Sequence, residues 1–338
     1  MFFSNVQIPK TYHLIDNPKK MSWLASVLLS SPEFAFDIET NWPTAKSLRG
    51  KVPSDYPHMV AGISFAWGRT GVTKPWQPGN AAYVQLRRSD DSPFWNQRQP
   101  QIEKVLKEIQ ESDIPKVAHN GKFDVRQLAN LMGIYTKNLA WDTMLMHTLL
   151  DEDTVRSSHA LKSEFSIEGK ELKRGTSNEY LDIEASEFKN DLQAALLYYD
   201  SKMQRYSKVP TNVLYPYACA DSDMCLSLKY EFMPMLEAEG LLPLMRDLVM
   251  PLQHTLMIME LHGCPLDLHR ARQVLNEQAQ VMKDSEEAVQ RIFQPLGVKF
   301  DVSSPEQLGK VLFEYAGYQG RKSADGSWVT DGDELKKL

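Results

Sequence analysis

Short apolar runs alternate with stretches of helical period through the first half of the chain, and long helical periods fill its end. Phe34–Ile38 is an apolar run ending in acids and predicts a buried strand. Met59–Trp67 and Ala81–Leu86 predict two more strands, separated by the Gly68–Gly79 stretch, where Pro75 and Pro78 supply turns. Three strands in succession suggest an antiparallel meander. Gln101–Ile109 sets Ile102, Val105, Leu106 and Ile109 on one helical face. Lys116–Ala118 and Leu139–Trp141 read as short strands on either side of a helix over Lys122–Leu131. Met21–Leu29 reads as a helix with Leu24, Val27 and Leu28 on one face. This alternation predicts an α/β fold, a mixed sheet with helices packed on its faces.

The second half is mostly helical. Within 152–215, Glu164–Ile183 reads as exposed loop, and Asp191–Tyr206 has helical period. Leu244–Leu261 and Leu268–Phe293 predict two long helices joined by a Gly263-Cys264-Pro265 turn, with Asp267 as N-cap of the second. Ser304-Pro305 opens a third, to about Tyr315. A boundary near Glu237–Leu242 divides the 338 residues into 1–236 and 237–338.

Composition narrows the classes. A net charge of −6 argues against a protein that coats nucleic acid by bulk electrostatics. Cys219, Cys225 and Cys264 have no CxxC spacing, which suggests neither a disulfide framework nor a zinc site and suits a reducing compartment. Leu241–Leu261 is apolar, but Arg246, Asp247, Pro251, Gln253 and His254 interrupt it too often for a membrane span. The apolar run after Lys19-Lys20 is too short and too far from the start for a signal peptide. A cytoplasmic protein is expected, which would include a phage protein acting in its host.

The acids then supply a chemistry. Asp37 and Glu39 alternate on one strand, so both side chains share a face and can reach one metal ion. Asp124 falls in the first turn of a helix, within His119-Asn120-Gly121-Lys122-Phe123-Asp124. Tyr217 and Asp221 are four apart and share one helical face, which sets a phenol beside a carboxylate, where it can orient a water. Hard cations such as Mg²⁺ need oxygen ligands, and two such ions side by side need several carboxylates. Two-metal sites are the usual device for cleaving phosphodiesters. Asp142 reads instead as the cap of a helix starting at Thr143, and Asp223 should face away from Asp221.

In order and context, Phe36-Asp37-Ile38-Glu39-Thr40, His119 to Asp124, and Tyr217-Ala218-Cys219-Ala220-Asp221 resemble the three exonuclease motifs of the DEDD superfamily, in its tyrosine-bearing branch. The wider resemblance is to the 3′–5′ proofreading domain of family A DNA polymerases. Asp142-Thr143-Met144-Leu145, Glu260 to Asp267 and Ser303 to Gly309 extend it. The resemblance implies an RNase H-like exonuclease over 1–236, with a mixed five-stranded sheet, followed by the helical start of a polymerase domain over 237–338. It implies two Mg²⁺ or Mn²⁺ ions on Asp37, Glu39, Asp124 and Asp221, with Asp37 bridging both and Glu39 on the ion that holds the nucleophilic water. Tyr217 would orient that water, and Asn120 would reach the substrate backbone near the scissile end. Trp42, just past the first motif, is a candidate to stack on the terminal base, and Thr40 is a further candidate substrate contact.

No equivalent of the polymerase metal-binding, fingers or His-Asp-Glu motifs occurs in these residues, so polymerisation by this chain alone is not expected. The expected partners are a single-stranded or frayed DNA 3′ end and a polymerase chain carrying palm and fingers. Because the four acids lie upstream of 237, nuclease activity on short single strands is expected to be independent of 237–338. Two other readings stay open, an RNA-processing exonuclease of the same superfamily and a non-catalytic subunit that docks a polymerase.

Overall fold

The computed structural model describes residues 8–41, 59–71, 77–151, 206–323 and 326–338. The expected loop Glu164–Ile183, all but the end of the expected Asp191–Tyr206 helix, and Trp42 lie outside those residues. The chain forms two compact units, Met1–His262 and Gly263–Leu338.

The first unit is built on a mixed sheet of six strands in the order β1-β4-β3-β2-β5-β6. These are β1 (Tyr12–Ile15), β2 (Phe34–Asn41), β3 (Met59–Trp67), β4 (Asn80–Gln85), β5 (Lys116–Ala118) and β6 (Leu139–Asp142). β2, β3 and β4 form the expected antiparallel meander. β5 and β6 extend it in parallel on one side, and β1 pairs in parallel with β4 on the other. The expectation of five strands thus falls one short. β1 has only four residues, and its two middle ones, His13 and Leu14, are half-buried, so no apolar run announces it.

Alternation along the strands gives the sheet two different faces. Phe34, Phe36, Ile38, Ile63, Phe65 and Val84 point to one, a large apolar core. It is covered by α1 (Pro18–Leu29), α2 (Gln99–Gln110) and α3 (Gly121–Met132), through Leu24 and Leu28, Leu106 and Ile109, and Val125 and Leu128. The opposite face carries small residues, Ala35, Ala66 and Ala81. They let α5 (Thr211–Ala238) lie close, with Val213, Leu214, Tyr217 and Ala218 against the sheet. Large residues on one face and small ones on the other therefore decide which helix comes nearest, and the acids of β2 share the small face.

Local signals set the helix ends. Asn17 accepts from the Lys20 N–H at 3.0 Å, and Pro18 follows in the first turn of α1. Gly133, at φ 64°, closes α3 in the left-handed region that suits glycine. Met146 of α4 (Thr143–Leu150) packs with Leu228 and Phe232 of α5 in a third cluster. That cluster continues into Met245 and Met250, beyond α5. Pro251 lacks the N–H that would bond the Asp247 carbonyl, and the chain takes a π turn over Met245–Val249 before α6 (Met250–His262).

α6 belongs to the first unit, so that unit closes after His262 and not at 236, where the change in sequence character falls. The second unit begins at the glycine turn. Its long helix α7 (Leu268–Phe293) is capped by Asp267, which accepts from the Arg270 N–H at 2.9 Å, as expected. Phe293, Phe300, Val311, Leu312 and Phe313 form its small core. Among the described residues, no helix is long and apolar enough to cross a membrane.

Candidate active site

Asp37 and Glu39 stand on the α5 face of β2, opposite Ser64 and Gly62 of β3. Immediately after Glu39 the register slips, so that Thr40 faces Val60, a bulge that bends the strand end. Thr40 is buried there. Asp221 comes down from α5. Oxygens of Asp37, Glu39 and Asp221 lie within 4.8 Å of one another, with Glu39 and Asp221 buried. Tyr217 is one turn earlier on α5 and fully buried. Three of the four expected acids are thus brought together by one strand and one helix, and Tyr217 lies one turn from Asp221 on that helix.

Asp124 lies beside this group and outside its tightest core. It is in the first turn of α3 and buried, and the Ile38 backbone N–H donates to its carboxylate. Burial pushes its carboxyl well above the usual range, and the negative charges of Asp37, Asp142 and Glu39 push it further. Packed acids with this much mutual repulsion suit a divalent cation, and the donors are all hard oxygens.

Asp142 is a helix cap and not a ligand, as its spacing suggested. Its carboxylate accepts from the Met144 N–H at 3.0 Å, opening α4. It also accepts from the Asn120 N–H at 3.0 Å and the Gly121 N–H at 2.8 Å, which fixes the start of α3, and from the Gln253 amide of α6. One buried acid therefore holds two helix N-termini and ties α6 to them. Asn120 makes this turn with φ 58°, and its exposed side chain does not cap the helix. His119 bonds Thr143 at 2.8 Å, a structural role.

Asp223 points away from the acid group, as expected. It pairs with Arg69 at 2.8 Å and accepts from the Tyr12 hydroxyl at 2.9 Å and the Gly79 N–H at 2.7 Å. That buried network pins α5 to the edge strand β1. Cys219 packs against the sheet, and all three cysteines are free thiols. Sequence reasoning did not find the partners in these networks, Tyr12, Arg69 and Gln253, which stand far from the motifs.

The electrostatics give a testable pH dependence. A carboxyl with a raised value holds its proton more tightly folded than unfolded. From about pH 4 upward, each such group lowers the stability of the metal-free fold as it is forced to ionise. Asp124 is such a group, and a bound cation would offset its charge. The rise in melting temperature on adding Mg²⁺ is expected to be larger at about pH 8 than at about pH 5.5. Thermal melts at both values check this, and an equal or reversed difference counts against a cation at these acids.

Comparison with known proteins agrees with the geometry. Residues 76–237 match the 3′–5′ exonuclease model of family A DNA polymerases, a span that includes Asp124, Tyr217 and Asp221. The DNA polymerase of Escherichia phage T5 is 28% identical over 240 residues, which is 66% of this chain and 26% of that protein. The DNA polymerase I of Chloroflexus aurantiacus is 29% identical over 341 residues, 98% of this chain and 31% of that protein. The chain therefore spans under a third of either relative. Among solved structures, the POL domain of Pol1 from M. smegmatis, in complex with DNA primer-template and dNTP, aligns with 96% of this chain and 44% of its own. The TM-score is 0.54 at 19% identity, a likeness of fold.

The fold is thus a mixed six-stranded sheet with helices on both faces, followed by a helical unit. Over residues 76–237 the chain matches a 3′–5′ exonuclease domain of the family A DNA polymerase type, and along most of its length it is similar to DNA polymerase I. Domains of this type are metal-dependent, and the acid group on β2 and α5 suits that requirement.

Proposed function

We propose that this chain removes nucleotides from the 3′ end of DNA, releasing nucleoside 5′-monophosphates, as the proofreading part of a family A polymerase. The observation that carries the reading is the joining of Asp37, Glu39 and Asp221 within 4.8 Å, with Asp124 beside them. Asp37, Glu39, Asp124 and Asp221 would hold two Mg²⁺ or Mn²⁺ ions. When bound, such ions activate the attacking water and stabilise the leaving oxygen. The protein's own part is to fix the acids. The antiparallel ladder aligns Asp37 and Glu39, the Ile38 N–H and the Asp142 clamp seat Asp124, and α5 presents Asp221. Tyr217 accompanies Asp221 one turn earlier and orients the water. Asn120, Thr40 and Trp42 are the candidate contacts to the strand end.

The direct test is Mg²⁺-dependent release of mononucleotides from a single-stranded DNA 3′ end, with an RNA strand alongside. Preference for RNA would replace the proofreading reading. Tyr217→Phe, which removes only the hydroxyl, is expected to lower turnover about 10-fold, or ~1.4 kcal/mol, with DNA affinity little changed. If affinity falls while turnover holds, the tyrosine is a contact or packing residue.

The same reading takes 237–338 as the start of a polymerase-type domain and gives the chain a partner, a polypeptide carrying palm and fingers. Leu248, Leu252, Leu256 and Met259, which are exposed in the first unit, support it. Association should bury well over ~1,200 Å². A cytoplasmic site of action goes with this reading.

A further inference from the structure

Tyr83 of β4 belongs to none of the motifs, and it is fully buried under α5. Its hydroxyl has no hydrogen-bond partner among the described residues. A buried phenol ordinarily finds one. The strand register shows what surrounds it. Asp37 faces Ser64, and Ser64 faces Tyr83, so the three stand in one row on the α5 face. In the next row Glu39 faces Gly62. A Cβ placed on Gly62 would fall 2.1 Å from the Tyr83 Oη and 2.2 Å from its Cζ. The phenol thus leans across one row and fills the space where a side chain opposite Glu39 would stand. Opposed side chains in an antiparallel pair have Cβ atoms about 4.5–5.5 Å apart, which puts the hydroxyl within side-chain reach of the Glu39 carboxylate. Burial, then the charge of Glu39, then Cys219 and Asp37, push the phenol well above its ordinary range. A glycine inside an apolar strand often marks such a close approach, and Gly62 is what admits the ring.

We propose that Tyr83 is a positioning residue whose hydroxyl donates to the Glu39 carboxylate and holds that side chain in place when the acids bind divalent cations. The proposal deepens the exonuclease reading and rests on it for the role of Glu39. Groups of this kind behind a metal ligand fix its orientation, and their loss typically weakens metal affinity or activity by about 10–100-fold.

The test is Tyr83→Phe in the full chain, which deletes one oxygen and keeps the ring. Mn²⁺ affinity by calorimetry should weaken about 10-fold, and kcat on single-stranded DNA should fall with KM unchanged. In a Glu39→Gln background the same substitution should add no further loss of Mn²⁺ affinity, since the tyrosine acts through that carboxylate. Unchanged Mn²⁺ affinity, losses that simply add in the double variant, or failure of Tyr83→Phe to fold would each overturn the proposal. If the wild-type chain lacks Mg²⁺-dependent nuclease activity while the Mn²⁺ results are as expected, the exonuclease reading falls and the positioning role stands.

Discussion

Asp37→Ala is expected to abolish Mg²⁺-dependent degradation of single-stranded DNA while leaving the fold intact. Asp37 sits among other acids, since Glu39 and Asp221 lie within ligand distance and its charge raises Asp124 more than that of Asp142 or Glu39 does. Water cannot replace it without loss of a cation, because hard ions need the negative charge as well as the oxygen. Transition-state stabilisation by such ions is worth several kcal/mol, and about 4 kcal/mol corresponds to roughly 10³-fold in rate. Stability should not suffer, since removing one of several repelling acids relieves charge in the metal-free fold. Single-turnover assays and a thermal melt on the same preparation check both halves. A well-folded variant that keeps more than a small fraction of the activity would refute the assignment of the site.

Much of this site was legible because its chemistry is carried by short local patterns. Alternation placed Asp37 and Glu39 on one face, and a spacing of four placed Tyr217 with Asp221. Asp142 was separable from the expected ligands because a β-to-helix junction calls for a capping acid. The less legible features depend on contacts between distant segments. β1 is a strand because β4 offers an edge and Asp223 anchors Tyr12, neither of which marks its own four residues. Tyr83 reads as one more strand aromatic, and only the pairing of Glu39 with Gly62 shows where its hydroxyl goes. The end of the first unit was also hidden. Local composition changes near 237, whereas the packing that closes the core involves side chains beyond 240.

That last difference changes what a truncation should do. Judged by the acids alone, a fragment ending at 236 should keep its nuclease activity. The structure makes it incomplete, because α6 contributes Met257 to the main core, Gln253 to the Asp142 clamp and Glu260 to Lys122 and Arg126 at the start of α3. Met245 and Met250, just before and at the start of α6, complete the third cluster. Each buried methionine is worth roughly 1.5–3 kcal/mol, and a hydrogen bond to a charged group roughly 1.5–3 kcal/mol. The solvent-exposed pairs of Glu260 add little. The three methionines and Gln253 together reach about 6–12 kcal/mol, comparable to the entire stability of an ordinary domain, ~5–15 kcal/mol. Residues 1–236 alone are therefore expected to be insoluble or largely unfolded, with α3 released and Asp124 displaced. Residues 1–262 should melt cooperatively and degrade short single strands at close to the full-chain rate. The comparison uses both fragments, with circular dichroism for the fold and the mononucleotide assay for activity. Equal melting and equal rates for the two would show that α6 is an ornament on a nuclease already complete at residue 236.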